Sequence, residues 1–183
     1  DKGQVTAGDK VLILGVGGLG LQGIQIAKHF GAEVYATSRQ DKKLELAKEF
    51  GANVVINTSK CDLKEEINKI TDGEQCDVIF DNIGIKSSIE DSLKMLRPGG
   101  KIIAVGYSDP EFEANYQEVV IKEKEIIGIR GSSRQNLVEA IKMVEKGIVK
   151  PYIYKTYKLE EINEALDQLR HGGSLGRTVV VFD

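Results

Sequence analysis

The sequence contains no tryptophan, only two cysteines and only two histidines in 183 residues. Cys61 and Cys76 are too few for a disulfide framework, so we interpret them as free thiols and expect a cytoplasmic protein. His29 and His171 have no cysteine or histidine partner at the spacing of metal ligands, which argues against a zinc site in this chain. We therefore expect no metal ligands among these residues.

Long apolar runs and an excess of basic residues are also missing. The net charge is −3, and without a basic stripe we expect no nucleic-acid partner. No apolar stretch approaches the roughly 18 to 20 residues that span a bilayer, and no signal peptide is evident, so we expect no membrane association. The chain begins with Asp1 rather than methionine, which is consistent with a fragment of a longer protein.

What the sequence does contain is an alternation of short apolar runs with segments of helical spacing. Nearly continuous apolar runs are typical of strands buried on both faces, and their alternation with helices predicts a parallel sheet. The pattern therefore predicts an α/β fold with a doubly wound, six-stranded parallel sheet of the Rossmann type. The six predicted strands are 11–15, 33–38, 53–57, 77–81, 101–106 and 125–131.

Local signals predict where helices and turns begin. Ser88 followed by Asp91, and Ser132 followed by Gln135, resemble capped helix starts. RPGG at 97–100 predicts a turn, and residues 107–122 carry no clear pattern.

The chain changes character after residue 150. A helix over 159–170 and a strand over 177–183 predict a C-terminal tail that either extends the same sheet or belongs to a neighbouring domain. We accordingly divide the chain into a dinucleotide-binding domain, 1–150, and a C-terminal return segment, 151–183.

The most informative motif is G-x-G-G-x-G, formed by Gly15, Gly17, Gly18 and Gly20 between the first strand and the first helix. Gly15 allows a tight turn, Gly17 lets a pyrophosphate approach the backbone, and Gly20 lets the helix pack closely on the sheet. The first helical amides, near Leu19, face the phosphates. This context predicts dinucleotide binding, and the absence of G-K-[ST] excludes a Walker A loop.

The end of the second strand predicts which dinucleotide is bound. An acidic residue usually holds a free ribose 2′-hydroxyl at this place, but here Ser38 stands there and Arg39 follows it. A hydroxyl and a guanidinium suit a 2′-phosphate, so we expect NADP(H) in preference to NAD(H). Two alternatives remain open: Arg39 as a solvated surface residue, and Asp41 as the ribose ligand.

The nicotinamide half is expected over the carboxyl ends of the later strands, beyond the switch in strand order. The candidates after the fourth and fifth strands are Asn82, Gly84, Val105, Gly106 and Tyr107. No serine–histidine–acid arrangement or pair of carboxylates indicates a catalytic site in this chain. Hydride transfer requires little more from such a domain, because the cofactor supplies the hydride.

These residues resemble the medium-chain dehydrogenase/reductases, and among them the zinc-type alcohol dehydrogenases. GDKVLILGVGGLGLQGIQIAKHFGAEV is similar to their nucleotide-binding start, and CDVIFDNIG with SLKMLRPGGKIIAVG is similar to their fourth and fifth strands. The ending KLEEINEALDQLRHGGSLGRTVVVFD is the most specific part. By this resemblance, Arg177 contacts the cofactor pyrophosphate.

The resemblance implies further properties. Family members are about twice this long, and their first half carries the catalytic zinc, so zinc is expected only in that missing half and this chain alone is expected to be inactive. The complete enzyme would transfer a hydride between NAD(P) and an alcohol or carbonyl substrate. A dimer or tetramer joined near the sixth strand, around 126–130, is also implied.

Two other functions remain open from the sequence. One is a zinc-free NADPH-dependent quinone or enoyl reductase of the same superfamily. The other is a methyltransferase or a non-catalytic nucleotide sensor, although Ser38 lacks the acid that a methyltransferase usually carries after its second strand.

Overall fold

The structure is a computed structural model that describes residues 1–109 and 111–182. Strands and helices alternate along the chain. The strands are β1 (Lys10–Leu14), β2 (Glu33–Ser38), β3 (Val54–Asn57), β4 (Cys76–Asp81), β5 (Leu96–Ala104), β6 (Glu125–Gly128), β7 (Ile153–Lys158) and β8 (Arg177–Val181). The helices are α1 (Gly18–His29), α2 (Asp41–Glu49), α3 (Leu63–Ile70), α4 (Lys86–Met95), α5 (Tyr116–Ile121), α6 (Arg134–Glu145) and α7 (Ile162–Arg170), the last preceded by a 3-10 turn at Leu159–Glu161.

Six of the strands form one parallel sheet in the order β3-β2-β1-β4-β5-β6. The predicted doubly wound Rossmann sheet is therefore confirmed. The chain runs outward from β1 to β3 and then crosses back to β4, so β1 and β4 are neighbours. Ligands of such sheets bind at this switch in strand order, outside the carboxyl ends of the strands.

The sheet is stable because its strands bury apolar side chains on both faces. Along β1, Val11 and Ile13 contribute to one apolar cluster, and Leu12 and Leu14 contribute to the other. The first cluster includes Leu21 and Ile24 of α1, and the second includes Ile67 of α3. This two-sided burial explains why the strands read as continuous apolar runs rather than alternating ones.

Several predicted boundaries are corrected by the structure. Helix α4 begins at Lys86, so Ser88 lies at its third position and accepts a hydrogen bond from the backbone N–H of Ile85 (3.1 Å). The cap of α6 is Ser133 with Asn136 rather than Ser132 with Gln135, because the helix begins one residue later than the pattern predicted. The fifth and sixth strands end at Ala104 and Gly128, two and three residues before their predicted ends.

Two irregular segments also differ from the prediction. Residues 97–100 lie within β5 as a bulge between the Cys76–Leu96 and Val78–Lys101 pairs, rather than as a separate turn. Residues 107–122 contain the short helix α5.

The C-terminal segment forms a sheet of its own. Strand β7 was not predicted from the sequence, and it pairs in parallel with β8 instead of joining the main sheet. Five of its six residues are exposed, and Tyr157 is buried. The tail nevertheless contacts the first domain, since the Tyr152 ring packs edge-on against Phe50 and Gln40 Nε2 donates to Gly172 O (3.4 Å).

In the part of the chain that the structure describes, every helix is too short or too polar to cross a lipid bilayer. At the free edge of the main sheet, Ile126 of β6 and the following Ile129 are partly exposed.

Candidate functional site

A cleft of about 830 Å³ lies at the carboxyl ends of β1, β2 and β4, over the switch in strand order. It brings together nine of the thirteen predicted site residues. These are Gly15, Gly17, Gly18, Leu19, Gly20, Ser38, Arg39, Asn82 and Arg177.

The turn between β1 and α1 depends on two glycines. Gly15 has a φ of +84°, a left-handed conformation in which a side chain is strained. At Gly20 a Cβ would lie 2.2 Å from the carbonyl oxygen of Gly15, so helix α1 approaches the strand more closely than any side chain would permit. This is the close packing expected of the last glycine in such a motif.

Gly17 has a different environment. It precedes α1 as the N-cap, and a Cβ there would meet no atom within 4 Å, so it faces open space in the cleft. The first helical bond runs from Leu21 N to Gly17 O, which leaves the amides of Gly18–Gly20 without helical acceptors. No side chain caps this helix and no acid lies in its first turn. The amino end of α1 therefore carries an uncompensated positive partial charge, which favours the binding of an anion.

Arg177, the first residue of β8, extends its side chain over this helix end. A Cβ on Gly18 would lie 2.5 Å from both Cδ and Nε of Arg177, so the lack of a side chain at Gly18 makes room for the arginine. A guanidinium beside the amino end of a helix is electrostatically unfavourable unless an anion joins them. The pairing of Arg177 with α1 therefore favours a phosphate-bearing ligand.

The end of β2 carries no free acid. The Ser38 hydroxyl accepts a hydrogen bond from the Gln40 backbone N–H (3.1 Å), and Arg39 lines the cleft. Asp41, the alternative ribose ligand, points elsewhere. Its carboxylate binds Asn57 Nδ2 (2.7 Å) and Lys60 Nζ (2.8 Å), and these two contacts hold its pKa below the usual value.

Lys43 also lines the cleft and was not predicted from the sequence. It is half-buried in α2, and burial, together with repulsion from the Arg39 guanidinium, lowers the pKa of its ammonium group. The available sequence signal was a lysine in the first turn of the helix that follows β2, five residues after Ser38. The Arg39 guanidinium and the Lys43 ammonium group therefore lie near each other in the cleft.

The acidic groups of the cleft are already engaged by other groups. Asp62 caps α3 by accepting from the Lys64 and Glu65 backbone amides, and these hydrogen bonds lower the pKa of its carboxyl. Lys64 Nζ lies 3.4 Å from carboxylate oxygens of both Asp62 and Asp91. Among residues 1–109 and 111–182, the charged groups of the cleft without an opposite charge beside them are therefore Arg39, Lys43 and Arg177.

The predicted nicotinamide residues are divided by the structure. Asn82 lines the cleft and donates through Nδ2 to Leu14 O (3.2 Å). Gly84, Val105, Gly106 and Tyr107 are not among the lining residues. A Cβ on Gly84 would lie 2.0 Å from the carbonyl carbon of Gly106, so these two glycines contact one another, and Tyr107 is 87% exposed.

A metal ion does not fit this site. Across residues 1–109 and 111–182, no three histidine, cysteine, aspartate or glutamate side chains lie close enough together to hold one. Cys61 is exposed and Cys76 is buried, and both are free thiols.

The fold, the strand order and the glycine turn define a dinucleotide-binding domain of the Rossmann class. A profile of the family described as zinc-binding dehydrogenase matches residues 18–146, more than half of the chain. The chain belongs to this family, and the resemblance to the medium-chain alcohol dehydrogenases is confirmed.

Individual relatives agree with this assignment. The chain is 33% identical over 179 residues to D-arabitol-phosphate dehydrogenase of Enterococcus avium, covering 95% of this chain and 51% of the relative. It is 32% identical over 182 residues to an NAD-dependent alcohol dehydrogenase of Sulfurisphaera tokodaii, covering 98% and 52%. A crystal structure of an NAD-dependent alcohol dehydrogenase superimposes with a TM-score of 0.92 at 31% identity, covering 100% and 54%. The chain thus spans about half the length of the relatives it matches.

Proposed function

We propose that this chain is the NADP(H)-binding domain of an oxidoreductase that transfers a hydride between the nicotinamide and an alcohol or carbonyl substrate. The observation that carries the proposal is the phosphate cradle formed by the open Gly17, the free amides of Gly18–Gly20 and the guanidinium of Arg177. Two relatives are named as dehydrogenases that depend on NAD, which supports a nicotinamide cofactor.

The role of the chain in this reaction is to bind and orient the cofactor. The helix amides of Gly18–Gly20 and the guanidinium of Arg177 would hold the pyrophosphate and neutralise its charge. The bound nicotinamide supplies the hydride chemistry. The chain's own residues would fix the position of that ring relative to the strand ends, and no cluster of zinc ligands lies among residues 1–109 and 111–182.

The preference for NADP(H) is supported by the side chains after β2. A 2′-phosphate carries a charge of about −2, and here it would meet Arg39 and Lys43 with no free carboxylate beside them. The hydroxyl of Ser38 is positioned to donate to such a phosphate while it accepts from Gln40 N.

We expect the chain to bind NADPH about 100-fold more tightly than NADH, and we expect no binding of S-adenosylmethionine. Replacement of either Arg39 or Lys43 by alanine should weaken NADPH binding about tenfold, since each loses one charge-assisted contact worth roughly 1.5 kcal/mol. The affinity for NADH should change less than about threefold, because NADH has no phosphate at this place. Titration of nicotinamide fluorescence measures the six affinities of the three chains for the two coenzymes, and displacement of bound NADPH tests S-adenosylmethionine.

Lys42→Ala is the matched control, because Lys42 carries the same charge one position earlier and does not line the cleft. We expect it to bind both coenzymes like the unmodified chain. Equal affinity for NADPH and NADH in the unmodified chain would disprove the NADP(H) preference. Failure to bind either coenzyme would disprove the proposed function itself.

A further inference from the structure

Asp81 is a fully buried acid at the carboxyl end of β4. One carboxylate oxygen accepts from two successive backbone amides, Ile83 N (2.8 Å) and Gly84 N (3.0 Å). The other oxygen accepts from the Ser88 hydroxyl (2.6 Å) at the start of α4. A buried carboxylate with this many local donors organises the turn that follows it.

The turn that Asp81 fixes is joined to the loop after β5. The backbone oxygen of Asp81 accepts from Val105 N and Gly106 N, both at 2.9 Å, and Gly84 O accepts from Ser108 N (2.8 Å). The two loops also touch at Gly84 and Gly106, where a Cβ on either glycine would fall within 2.5 Å of the other loop's backbone. We call residues 82–84 together with 105–108 the crossed loops.

The crossed loops shape the cleft although most of their residues do not line it. Ile83 does line the cleft, and its Cγ1 would lie 3.2 Å from a Cβ on Gly15. The side chain of Ile83 therefore packs directly beside the turn that precedes α1. A shift of the crossed loops would move Ile83 and change the width of the cleft between β1 and β4.

We propose that Asp81 is a positioning residue for the coenzyme. It holds the crossed loops in a fixed arrangement, so that the nicotinamide half of the coenzyme, beyond the switch in strand order, binds against a rigid surface. This inference rests on the proposed function. Asp81 does not itself line the cleft and acts through the amides of Ile83 and Gly84. Its place is on the β4–β5 side of the switch, away from Arg39 and Lys43 at the end of β2.

Alanine and asparagine at this position separate the positioning role from the negative charge. Asp81→Ala leaves the two amides of the turn without an acceptor, so the crossed loops lose their fixed arrangement. Asp81→Asn keeps an oxygen for these amides, while its amide group donates to Ser88 Oγ. Ser88 Oγ lies 2.8 Å from Ile85 O and can donate there instead.

The test compares NADPH with adenosine 2′,5′-bisphosphate, which carries the adenosine and the 2′-phosphate but no nicotinamide. For Asp81→Ala we expect the dissociation constant of NADPH to rise at least about tenfold and that of the bisphosphate to rise less than about threefold. Asp81→Asn should restore NADPH binding to within about threefold of the unmodified chain. The enhancement of nicotinamide fluorescence on binding, which reports the surroundings of the ring, should fall with Asp81→Ala and return with Asp81→Asn.

Asp77→Ala is the matched control, because Asp77 is the other acid of β4 and lies at its opposite end. It accepts from the Lys10 backbone N–H (2.7 Å) and pairs with Arg97, so its loss destabilises the same strand without touching the crossed loops. We expect both affinities to stay within about twofold. Gly106→Ala tests the contact from the other loop, since its Cβ would lie 2.4 Å from Ile83 C, and the same selective loss is expected even where Asp81→Ala does not fold.

Each outcome decides the question. Equal weakening of both ligands by Asp81→Ala, or by Gly106→Ala, would show a general structural role and overturn the inference. Unchanged NADPH binding would overturn it as well. Failure of the unmodified chain to bind either ligand would instead refute the proposed function, and this result is distinct because it appears before any substitution is made.

Discussion

Aspartate in place of Gly17 should make the chain slightly more stable and unable to hold NADPH. Gly17 is the N-cap of α1, and no side chain occupies the space beside it, so an aspartate fits without a clash. Its carboxylate can accept from the free amides at the start of the helix and lies at the positive end of the helix dipole. Both effects raise the free energy of unfolding by about 0.5 to 1 kcal/mol.

The same carboxylate occupies the place expected for the pyrophosphate and carries the same sign of charge. We expect the dissociation constant of NADPH to rise at least about 100-fold, which corresponds to a loss of roughly 3 kcal/mol. Thermal unfolding of the ligand-free chain and fluorescence titration with NADPH measure the two effects on one sample. A substitution that raises the free energy of unfolding but weakens NADPH binding indicates that the ligand, rather than the fold, requires glycine at this position.

Gly17→Asn is the matched control, because asparagine has the size and capping ability of aspartate without its charge. It should weaken NADPH binding through bulk alone, and so by less than aspartate does. NADPH bound by Gly17→Asp as tightly as by the unmodified chain would place the pyrophosphate elsewhere and refute the cradle.

Replacement of Gly20 by alanine should lower the stability of the chain more than a methyl group added at any other position of α1. The new Cβ would lie 2.2 Å from Gly15 O, a backbone atom that cannot rotate away, so α1 must move off the sheet. Overpacking of this kind costs about 3 kcal/mol, which lowers the melting temperature of a chain of this size by roughly 6 to 12 °C. The displaced helix end should also bind NADPH at least about tenfold more weakly.

Gly23→Ala, one turn further along α1, is the control for this prediction. A Cβ at Gly23 would be 3.6 Å from Ile13 Cδ1, which is an ordinary contact. Because alanine favours the helix over glycine, this variant should gain about 0.5 to 1 kcal/mol in stability. Equal melting temperatures for the two variants would mean that the close approach at Gly20 does not determine the packing of α1.

Much of this architecture could be predicted from the sequence because local pattern and global fold agree. Runs such as VLIL in β1 are buried on both faces, and only a parallel sheet covered by helices gives strands that environment. The glycine turn was predictable for the same reason, since a left-handed Gly15 and a side-chain-free Gly20 are demands of one local geometry.

The failures have identifiable physical causes. Strand β7, IYKTYK, has five exposed residues out of six, so it lacks the apolar signal that revealed the other strands. The cap of α6 was misplaced by one residue because two adjacent serines, Ser132 and Ser133, offer the same capping chemistry. Neither error concerns a residue that lines the cleft.

The site itself was predicted less completely than the fold, because contacts between loops that are distant in sequence produce no periodic pattern of residues. Gly84 and Gly106 were predicted to let the nicotinamide ring approach the backbone, and this stays a prediction; the structure shows that they contact each other, which the sequence did not indicate. Asp81 gave no signal, since an acid at a strand end looks the same whether it is buried or solvated. Lys43 was missed because a charged residue on a short helix is usually a surface residue.

The bare, uncapped start of α1 with Arg177 beside it has a practical consequence for any solution study. An arginine held against a positive helix pole attracts small oxyanions, so sulfate or inorganic phosphate in the buffer would compete for the place of the pyrophosphate. Such anions would raise the melting temperature of the coenzyme-free chain and weaken the apparent affinity for coenzyme by mass action. Affinities for this domain are therefore comparable only when the anions of the buffer are the same.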